Sequence, residues 1–278
     1  MNRRSFLKRA RTIARVSVGT AAVVYPFLEA RWCRVVRQQI SLPNLAAAFR
    51  GMTIALLADV HHGPFVPLAY IRHVVALTNA QQPDLTLLAG DFVHGHHSYL
   101  APGINELSKL KAPLGRFAVR GNHDAHREKD GVQPTASLAL AEAGLPELRN
   151  TGLWLERGRS RLRLCGVGDL WTDRQDLDAA LDDATDRDAV ILLSHNPDFA
   201  ENIRDRRTGL VLSGHTHGGQ IVVPGWGAPI VPSAFGQKYL YGLVQAPVCQ
   251  VFITRGVGTI SPPVRFLCRP EIVLITLR

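Results

Sequence analysis

The sequence repeats one local pattern five times: a short apolar run that ends in a polar side chain able to bind a divalent cation. The five segments are TIALLADVH, DLTLLAGD, RFAVRGNHD, AVILLSH and GLVLSGHTH. Runs rich in leucine and β-branched residues are typical of buried strands in α/β folds, and in such sheets ligands bind beyond the carboxyl ends of the strands. The pattern therefore predicts an α/β fold whose polar strand ends gather along one rim.

The side chains at these strand ends are candidate metal ligands. They are Asp59, His61, Asp91, Asn122, His195, His215 and His217. Oxygen and nitrogen donors without a thiolate suit two ions of the Mn, Fe, Zn or Mg type and do not suit a closed structural zinc site. Glycines at positions 90, 121 and 214 precede ligands. Without a β-carbon the backbone can turn sharply there and approach a metal or a phosphate closely.

The motifs D-x-H, G-D, G-N-H-D, S-H and G-H-T-H occur in this order. Their order resembles that of the calcineurin-like metallophosphoesterases, over roughly residues 50 to 278. The resemblance implies a four-layer sandwich in which two packed mixed β-sheets are flanked by helices. It also implies that Asp59, His61 and His217 bind one metal, that Asn122, His195 and His215 bind the other, and that Asp91 bridges both.

The same resemblance implies hydrolysis of a phosphodiester or pyrophosphate bond by a hydroxide held at two divalent ions. Mn²⁺ is the expected metal, with Fe, Zn and Mg as alternatives. His123 is expected to donate a proton to the leaving oxygen, with Asp124 orienting it. A non-catalytic protein-binding scaffold of the same fold is the alternative of a different class, but such scaffolds lose ligands and this chain has the complete set.

Three further stretches narrow the resemblance to small, membrane-linked bacterial phosphoesterases: SHNPD, SGHTHGGQI and the ending that contains GVGT, PPVRF and RPEI. Some of these relatives cleave UDP-2,3-diacylglucosamine in lipid A synthesis, and that lipid is the specific substrate expected. An exported general phosphodiesterase or phosphatase is the alternative. The chain has DVHHG where DLHLG is usual and HGHH where an acid often follows GDFV. Neither change removes a ligand, so the changes bear on substrate choice only.

The first 37 residues are expected to form a basic signal or anchor, followed by a catalytic domain over residues 38–278. MNRRSFLKRA resembles a twin-arginine export signal, and residues 16–28 are an apolar stretch too short to span a bilayer. Because no small-residue cleavage site follows, an uncleaved anchor with an exported active site is expected. The alternative is an interfacial segment on the cytoplasmic face, where UDP-linked lipids are made.

Charge identifies the expected partner of this segment. The chain has 32 Lys and Arg and 23 Asp and Glu, of which nine basic residues and one acidic residue fall in the first 37 positions. The remaining body is nearly neutral and lacks the distributed basic footprint that nucleic-acid binding needs. The segment is therefore expected to contact an anionic membrane surface.

Periodicity and residue type predict the secondary structure of several segments. Residues 67–80 and 134–143 have helical patterns, the second ending at Gly144. Residues 151–166 and 248–277 alternate or run apolar with short turns, which predicts that some of the sheet is antiparallel. The four cysteines lack C-x-x-C spacing, so buried hydrophobic roles are favoured over disulfides.

Three groups of residues are candidates for substrate contacts. One or more of His94, His96 and His97 could contact a phosphate, or all three could lie in a solvated loop. Residues 224–242 carry Trp226, Phe235, Tyr239 and Tyr241, which could form an apolar wall for a lipid or aromatic substrate or could pack within the loop. Arg120, Arg255 and Arg265 are candidate phosphate clamps.

Overall fold

The computed structural model describes residues 23–125 and 135–278. Its strands are β1 (Arg34–Ile40), β2 (Thr53–Leu57), β3 (Leu85–Leu88), β4 (Arg116–Ala118), β5 (Thr151–Arg157), β6 (Ser160–Gly166), β7 (Val190–Leu193), β8 (Leu210–Ser213), β9 (Gly242–Gln245), β10 (Gln250–Ile253) and β11 (Glu271–Leu277). Its α-helices with both ends described are α1 (Leu68–Asn79), α2 (Leu100–Leu107), α3 (Thr135–Glu142) and α4 (Leu177–Leu181).

The strands form two mixed sheets. The first sheet has the order β1-β11-β2-β3-β4, with β11 and β2 antiparallel and the other neighbours parallel. The second has the order β5-β6-β7-β8-β10-β9, with a parallel centre from β6 to β10 and an antiparallel strand at each edge. The ligand-bearing strands β2, β3, β4, β7 and β8 are therefore mutually parallel within their sheets.

Alternation along the strands divides the buried side chains among three layers. Ile54 and Leu56 of β2 face Ile191 and Leu193 of β7 in a core between the two sheets. The opposite face of the first sheet packs on α1, α2 and α3, and the opposite face of the second packs on α4 and on the 3-10 turn at Pro197–Glu201. Strands that are buried on both faces lack polar alternation, which explains the continuous apolar runs. The predicted four-layer α/β sandwich is confirmed.

Most of the local predictions are also confirmed. Helix α1 has Pro67 and Ala80 as its caps, and α3 is followed by Gly144 with a φ of 64°. Strands β5 and β6 pair as an antiparallel hairpin from Thr151 to Gly166. All four cysteines are buried and free.

The beginning of the folded domain differs from the expected boundary. Residue 37 lies inside β1, an edge strand that pairs along its whole length with β11, so a division after residue 37 would cut a strand of the folded domain. Residues 23–29 are helical, and the buried carboxylate of Glu29 accepts hydrogen bonds from the amides of Leu267 and Cys268. The twin-arginine motif lies outside the described residues. Among the helices described, none is long and apolar enough to cross a membrane.

Candidate metal centre

The seven predicted ligands lie at the carboxyl ends of five strands, where the two sheets meet. Asp59 and His61 follow β2, Asp91 follows β3, Asn122 follows β4, His195 follows β7, and His215 and His217 follow β8. The amide of His215 donates to Asp59 Oδ1 across 2.9 Å, which links the second sheet to the first. We call these seven residues the ligand rim.

Two clusters of ligand atoms form within the ligand rim. Asp59, His61 and His217 form one, and Asp91, His195 and His215 form the other, with ligand atoms within 4.8 Å of one another in each. Asp91 Oδ2 lies 3.4 Å from His61 Nε2 and 3.2 Å from His195 Nε2. This carboxylate therefore lies between the two clusters, at the position of a bridging ligand in a dimetal site.

Several atoms of the ligand rim are buried without a hydrogen-bond partner. They include Asp59 Oδ2, Asn122 Oδ1, His215 Nε2 and His217 Nδ1. The Nε2 atoms of His61 and His217 lie only 2.9 Å apart. Buried polar atoms without partners are rare in folded proteins, and their concentration here is typical of a site that binds cations. Carboxylate, amide oxygen and imidazole donors fit two divalent ions.

Burial keeps two of the histidines in the form that binds metal. It lowers the pKa of His61 and of His215 to about 3, so both imidazoles stay neutral and retain a lone pair. Burial alone would raise the pKa of Asp91, but the adjacent His195 outweighs it and holds that pKa well below its usual range. Burial raises the pKa of Asp59 to about 7. Cations bound at this site would offset the cost of burying both carboxylates.

The backbone of the ligand rim adopts an uncommon conformation. Asp59, His61, Asp91, His215 and His217 have φ values between 49° and 71°, the left-handed region that side-chain-bearing residues seldom occupy. Such strain persists where surrounding contacts impose it, and it is concentrated at functional sites. These left-handed residues lie within a few positions of the strand ends.

Close backbone approach explains all three predicted glycines. A β-carbon at position 90 would lie 2.6 Å from the amide nitrogen of Gly121, one at position 121 would lie 2.3 Å from Asp91 Oδ1, and one at position 214 would lie 2.6 Å from Asp59 Oδ2. A further glycine with this role, Gly258, belongs to the GVG stretch near the end of the chain. Its amide donates to the carbonyl of Asp59 across 2.7 Å, so the GVG stretch helps to fix the backbone of the loop that carries Asp59 and His61.

His123 lies beside the ligand rim and is half-buried. Its amide donates to Asp91 Oδ1 across 2.8 Å, and its ring centroid lies 4.9 Å from that of His61. His94 also reaches this position, with its ring 5.4 Å from that of His123 and its Nδ1 buried without a partner. His96 and His97 are exposed and lie against each other. Of the three loop histidines, His94 is therefore the one that lies beside the ligand rim.

Asp124 has contacts that differ from those expected. Its buried carboxylate accepts hydrogen bonds from the amides of Asp91, Phe92, Val93 and Gly121, at distances from 2.8 to 3.3 Å. These bonds bind the loop that carries Asp91 to the loop that carries Asn122. They do not involve the ring of His123, so Asp124 is placed to position ligand backbone instead of orienting that ring.

Two of the expected phosphate clamps have structural partners instead. Arg265 is fully buried, and its guanidinium donates to the carbonyls of His217, Arg255, Gly258 and Cys268. Arg120 pairs with Glu147 and Asp173. Guanidinium groups committed to buried carbonyls and carboxylates are not free to bind a phosphate. Arg255 lies over the ring of Tyr241 at 3.9 Å.

Sequence reasoning missed one exposed aromatic residue at the site. The ring of Trp171 meets that of His215 edge to face, with centroids 4.4 Å apart, and 56% of the residue is exposed. Asp169 accepts hydrogen bonds from the amides of Trp171 and Thr172, which fixes the loop. The signal was weaker but present, because RLRLCGVGD is a sixth strand-like segment, with arginine and leucine alternating at its start, that ends in an acid, Asp169.

Comparison with known proteins agrees with this geometry. Residues 52–219 match the family model of the calcineurin-like phosphoesterases. The chain is 34% identical to phosphodiesterase YaeI of Escherichia coli over 281 residues, covering 100% of this chain and 99% of that protein. It is 32% identical to the uncharacterized metallophosphoesterase YkuE of Bacillus subtilis over 289 residues, covering 100% and 98%.

Among solved structures, a dimetal phosphatase from Danio rerio is similar with a TM-score of 0.45 and 12% identity, over 82% of this chain and 99% of that one. The family match covers the strands that carry the ligand rim, and the relatives match from end to end. The chain therefore belongs to the calcineurin-like phosphoesterase family and is a metal-dependent phosphoester hydrolase.

Proposed function

We propose that the chain hydrolyses phosphodiesters at two divalent ions, with Mn²⁺ as the working metal, bound by the ligand rim. The observation that carries this proposal is the set of buried, unpartnered ligand atoms on Asp59, Asn122, His215 and His217. The name of the E. coli relative, a phosphodiesterase, supports a diester as the substrate class.

Bound ions would supply positive charge that activates water and offsets charge on the phosphoryl oxygens. The side chains of the protein would hold the ions and the reacting phosphate in position. Asp91 lies between the two clusters, and Asp124 holds the backbone of Asp91 and of Gly121 in place. His123 is half-buried beside the rim and is the group we assign to protonate the leaving oxygen.

Hydrolysis of bis(p-nitrophenyl) phosphate and of p-nitrophenyl phosphate by Mn²⁺-loaded protein tests this function. We expect close to two Mn²⁺ per chain and a higher kcat/KM for the diester. Asp91→Asn should remove most activity, whereas His97→Ala, at an exposed position outside the ligand rim, should retain it. Faster monoester hydrolysis would contradict the diester assignment, and a chain that binds no Mn²⁺ at saturation would contradict the catalytic proposal.

UDP-2,3-diacylglucosamine is the narrower substrate that we propose. An apolar cavity beside His217 supports a substrate that carries acyl chains. Mass spectrometry of the Mn²⁺-loaded protein with this lipid, with Asp91→Asn as the blank, should detect UMP and the lipid phosphate. Such turnover would favour a cytoplasmic-facing site. No turnover, alongside normal hydrolysis of the aryl diester, would reject the lipid A role and favour an exported phosphodiesterase.

We further propose that the N-terminal segment holds the enzyme on an anionic membrane surface. Residues 23–29 expose Val23, Phe27 and Leu28, and six basic residues precede them in residues 1–22. Deleting residues 1–22 preserves the contacts of Glu29 and should reduce binding to vesicles that contain phosphatidylglycerol, with aryl diester hydrolysis intact. Unchanged vesicle binding would show that the basic segment is not the anchor.

A further inference from the structure

A cavity of about 180 Å³ adjoins His217 at one side of the ligand rim. Its walls include Ile221, Ile230, Pro232, Ile260 and Pro262, and we call it the aliphatic pocket. We infer that the aliphatic pocket binds an alkyl or acyl chain of the phosphoester substrate. The inference rests on the proposed function, because an alkyl chain in this pocket would belong to the substrate only if the phosphate attached to it binds at the metals beside His217.

Two of the four polar side chains in the pocket wall, those of Thr216 and Gln220, are engaged by the backbone, whereas Ser261 is exposed and His217 belongs to the ligand rim. The Thr216 hydroxyl donates to the carbonyl of Leu240 across 2.8 Å. The side-chain amide of Gln220 donates to the carbonyl of Pro262 and accepts from the amide of Ile260. A sugar or a nucleobase in the pocket would replace few of its hydrogen bonds to water, which is costly. An aliphatic group would lose none.

The pocket wall is held in place by close backbone contacts. Gly219 has a φ of 74°, and a β-carbon there would lie 2.2 Å from the β-carbon of Ala228. The side chain of Gln237 bonds both the amide and the carbonyl of Ala228. The segment that leads from Ala228 to Ile230 and Pro232 is therefore fixed against the turn after His217. A preformed apolar cavity binds ligands without the cost of ordering its walls.

The apolar walls of the pocket are aliphatic, because the nearby aromatic residues lie elsewhere. The described pocket lining contains none of the four residues of the expected aromatic wall: Trp226 is exposed, Phe235 packs on Tyr239, Tyr239 is buried and donates to Glu201, and Tyr241 lies under Arg255. Ile230, at the mouth, is 78% exposed. An apolar cavity of roughly 150 Å³ accepts a benzene-sized group, so this pocket has room for about six carbons.

Calorimetric titration of Mn²⁺-loaded protein with hexylphosphonate and methylphosphonate tests the inference without turnover. Burying one methylene is worth roughly a fourfold gain in affinity, so we expect hexylphosphonate to bind at least about tenfold more tightly. Ile260→Ser should reduce the hexyl-to-methyl ratio by roughly fivefold. Ile230→Ser, at an exposed position that tolerates change, should reduce it by a smaller factor. Leu138→Ser, on the exposed side of α3, is the matched control and should leave the ratio unchanged.

A hexyl-to-methyl ratio near one, with methylphosphonate still bound, would overturn the aliphatic pocket and leave the proposed function standing. Tighter binding of phenylphosphonate than of hexylphosphonate would overturn the aliphatic assignment in favour of an aromatic one. A ratio lowered equally by Leu138→Ser would also overturn it. If neither phosphonate binds and no Mn²⁺ is retained, the inference and the proposed function fail together.

Discussion

The ligand rim and the walls beside it share one edge of the molecule but are built differently. The ligands lie on tight turns after buried strands, and five of the seven have left-handed backbone conformations. The walls are loops with exposed side chains, of which Trp171 is 56% and Ile230 is 78% exposed. Metal binding requires fixed donor positions, whereas recognition of a substituent requires a surface that faces the solvent before the substrate arrives.

This difference divides the expected effects of substitution. Changes in the ligand rim should lower turnover for every substrate, because they remove charge and position at the reacting phosphorus. Changes in the walls should alter the choice among substrates with little effect on the smallest one. If the two regions acted as one unit, substitutions in both would lower kcat and alter substrate choice together.

The largest effect is expected from Asp91→Asn. Its carboxylate lies between the two clusters, so replacing it with an amide should weaken the binding of both ions. We expect kcat/KM to fall by at least about thousandfold on all diesters, which corresponds to several kcal/mol of lost charge stabilisation. Metal analysis should show less than two Mn²⁺ per chain. A variant with full metal content and a loss confined to one substrate would contradict the position given to Asp91.

His123→Ala should have an effect that depends on the leaving group. Removing a general acid costs about 10²- to 10⁴-fold when the leaving oxygen needs a proton. We expect a loss in this range for an alkyl leaving group and a much smaller loss for p-nitrophenolate. His97→Ala, an exposed histidine of the neighbouring loop, is the control. Equal losses for both leaving groups would exclude His123 as the proton donor.

Asp124→Ala should destabilise the fold as well as the site. It leaves the amides of Asp91, Phe92, Val93 and Gly121 without their acceptor. Each buried unsatisfied amide costs about 1–3 kcal/mol, so with partial relaxation we expect the free energy of unfolding to fall by about 3 kcal/mol. Thermal denaturation should show a lower Tm. Asp124→Asn retains one acceptor oxygen and should lie between the wild type and the alanine variant.

Trp171→Ala should have the smallest effect and should act on KM. An aromatic contact is worth about 0.5–1.5 kcal/mol, so we expect KM for an aryl diester to rise by roughly threefold to tenfold with kcat nearly unchanged. Trp32→Ala, at an exposed tryptophan that packs against Arg269, is the matched control. A fall in kcat as large as that of His123→Ala would place Trp171 in the ligand rim instead of the wall.

The sequence was sufficient where the relevant signal is local. An apolar run followed by a polar residue marks a buried strand and its end, and parallel strands bring such ends together at one edge. The α/β sandwich, helix α1, the β5–β6 hairpin and the seven candidate ligands were all predicted from such segments. The same rule would have located Asp169 and Trp171 if the sixth strand-like segment had been included.

The tertiary structure decided what depends on contacts between distant segments. Arg265 and Asp124 were assigned from charge and from sequence neighbours, but their partners are backbone groups brought to them by folding. Glu29, in the segment expected to be a leader, accepts a hydrogen bond from the amide of Leu267 in the loop that precedes β11. The two residues are 238 positions apart in the sequence. Periodicity reports which face of an element is buried, but it does not report which other segment covers that face. The metal-binding chemistry was therefore determined by the sequence, while the positioning groups and the aliphatic pocket were determined by tertiary packing.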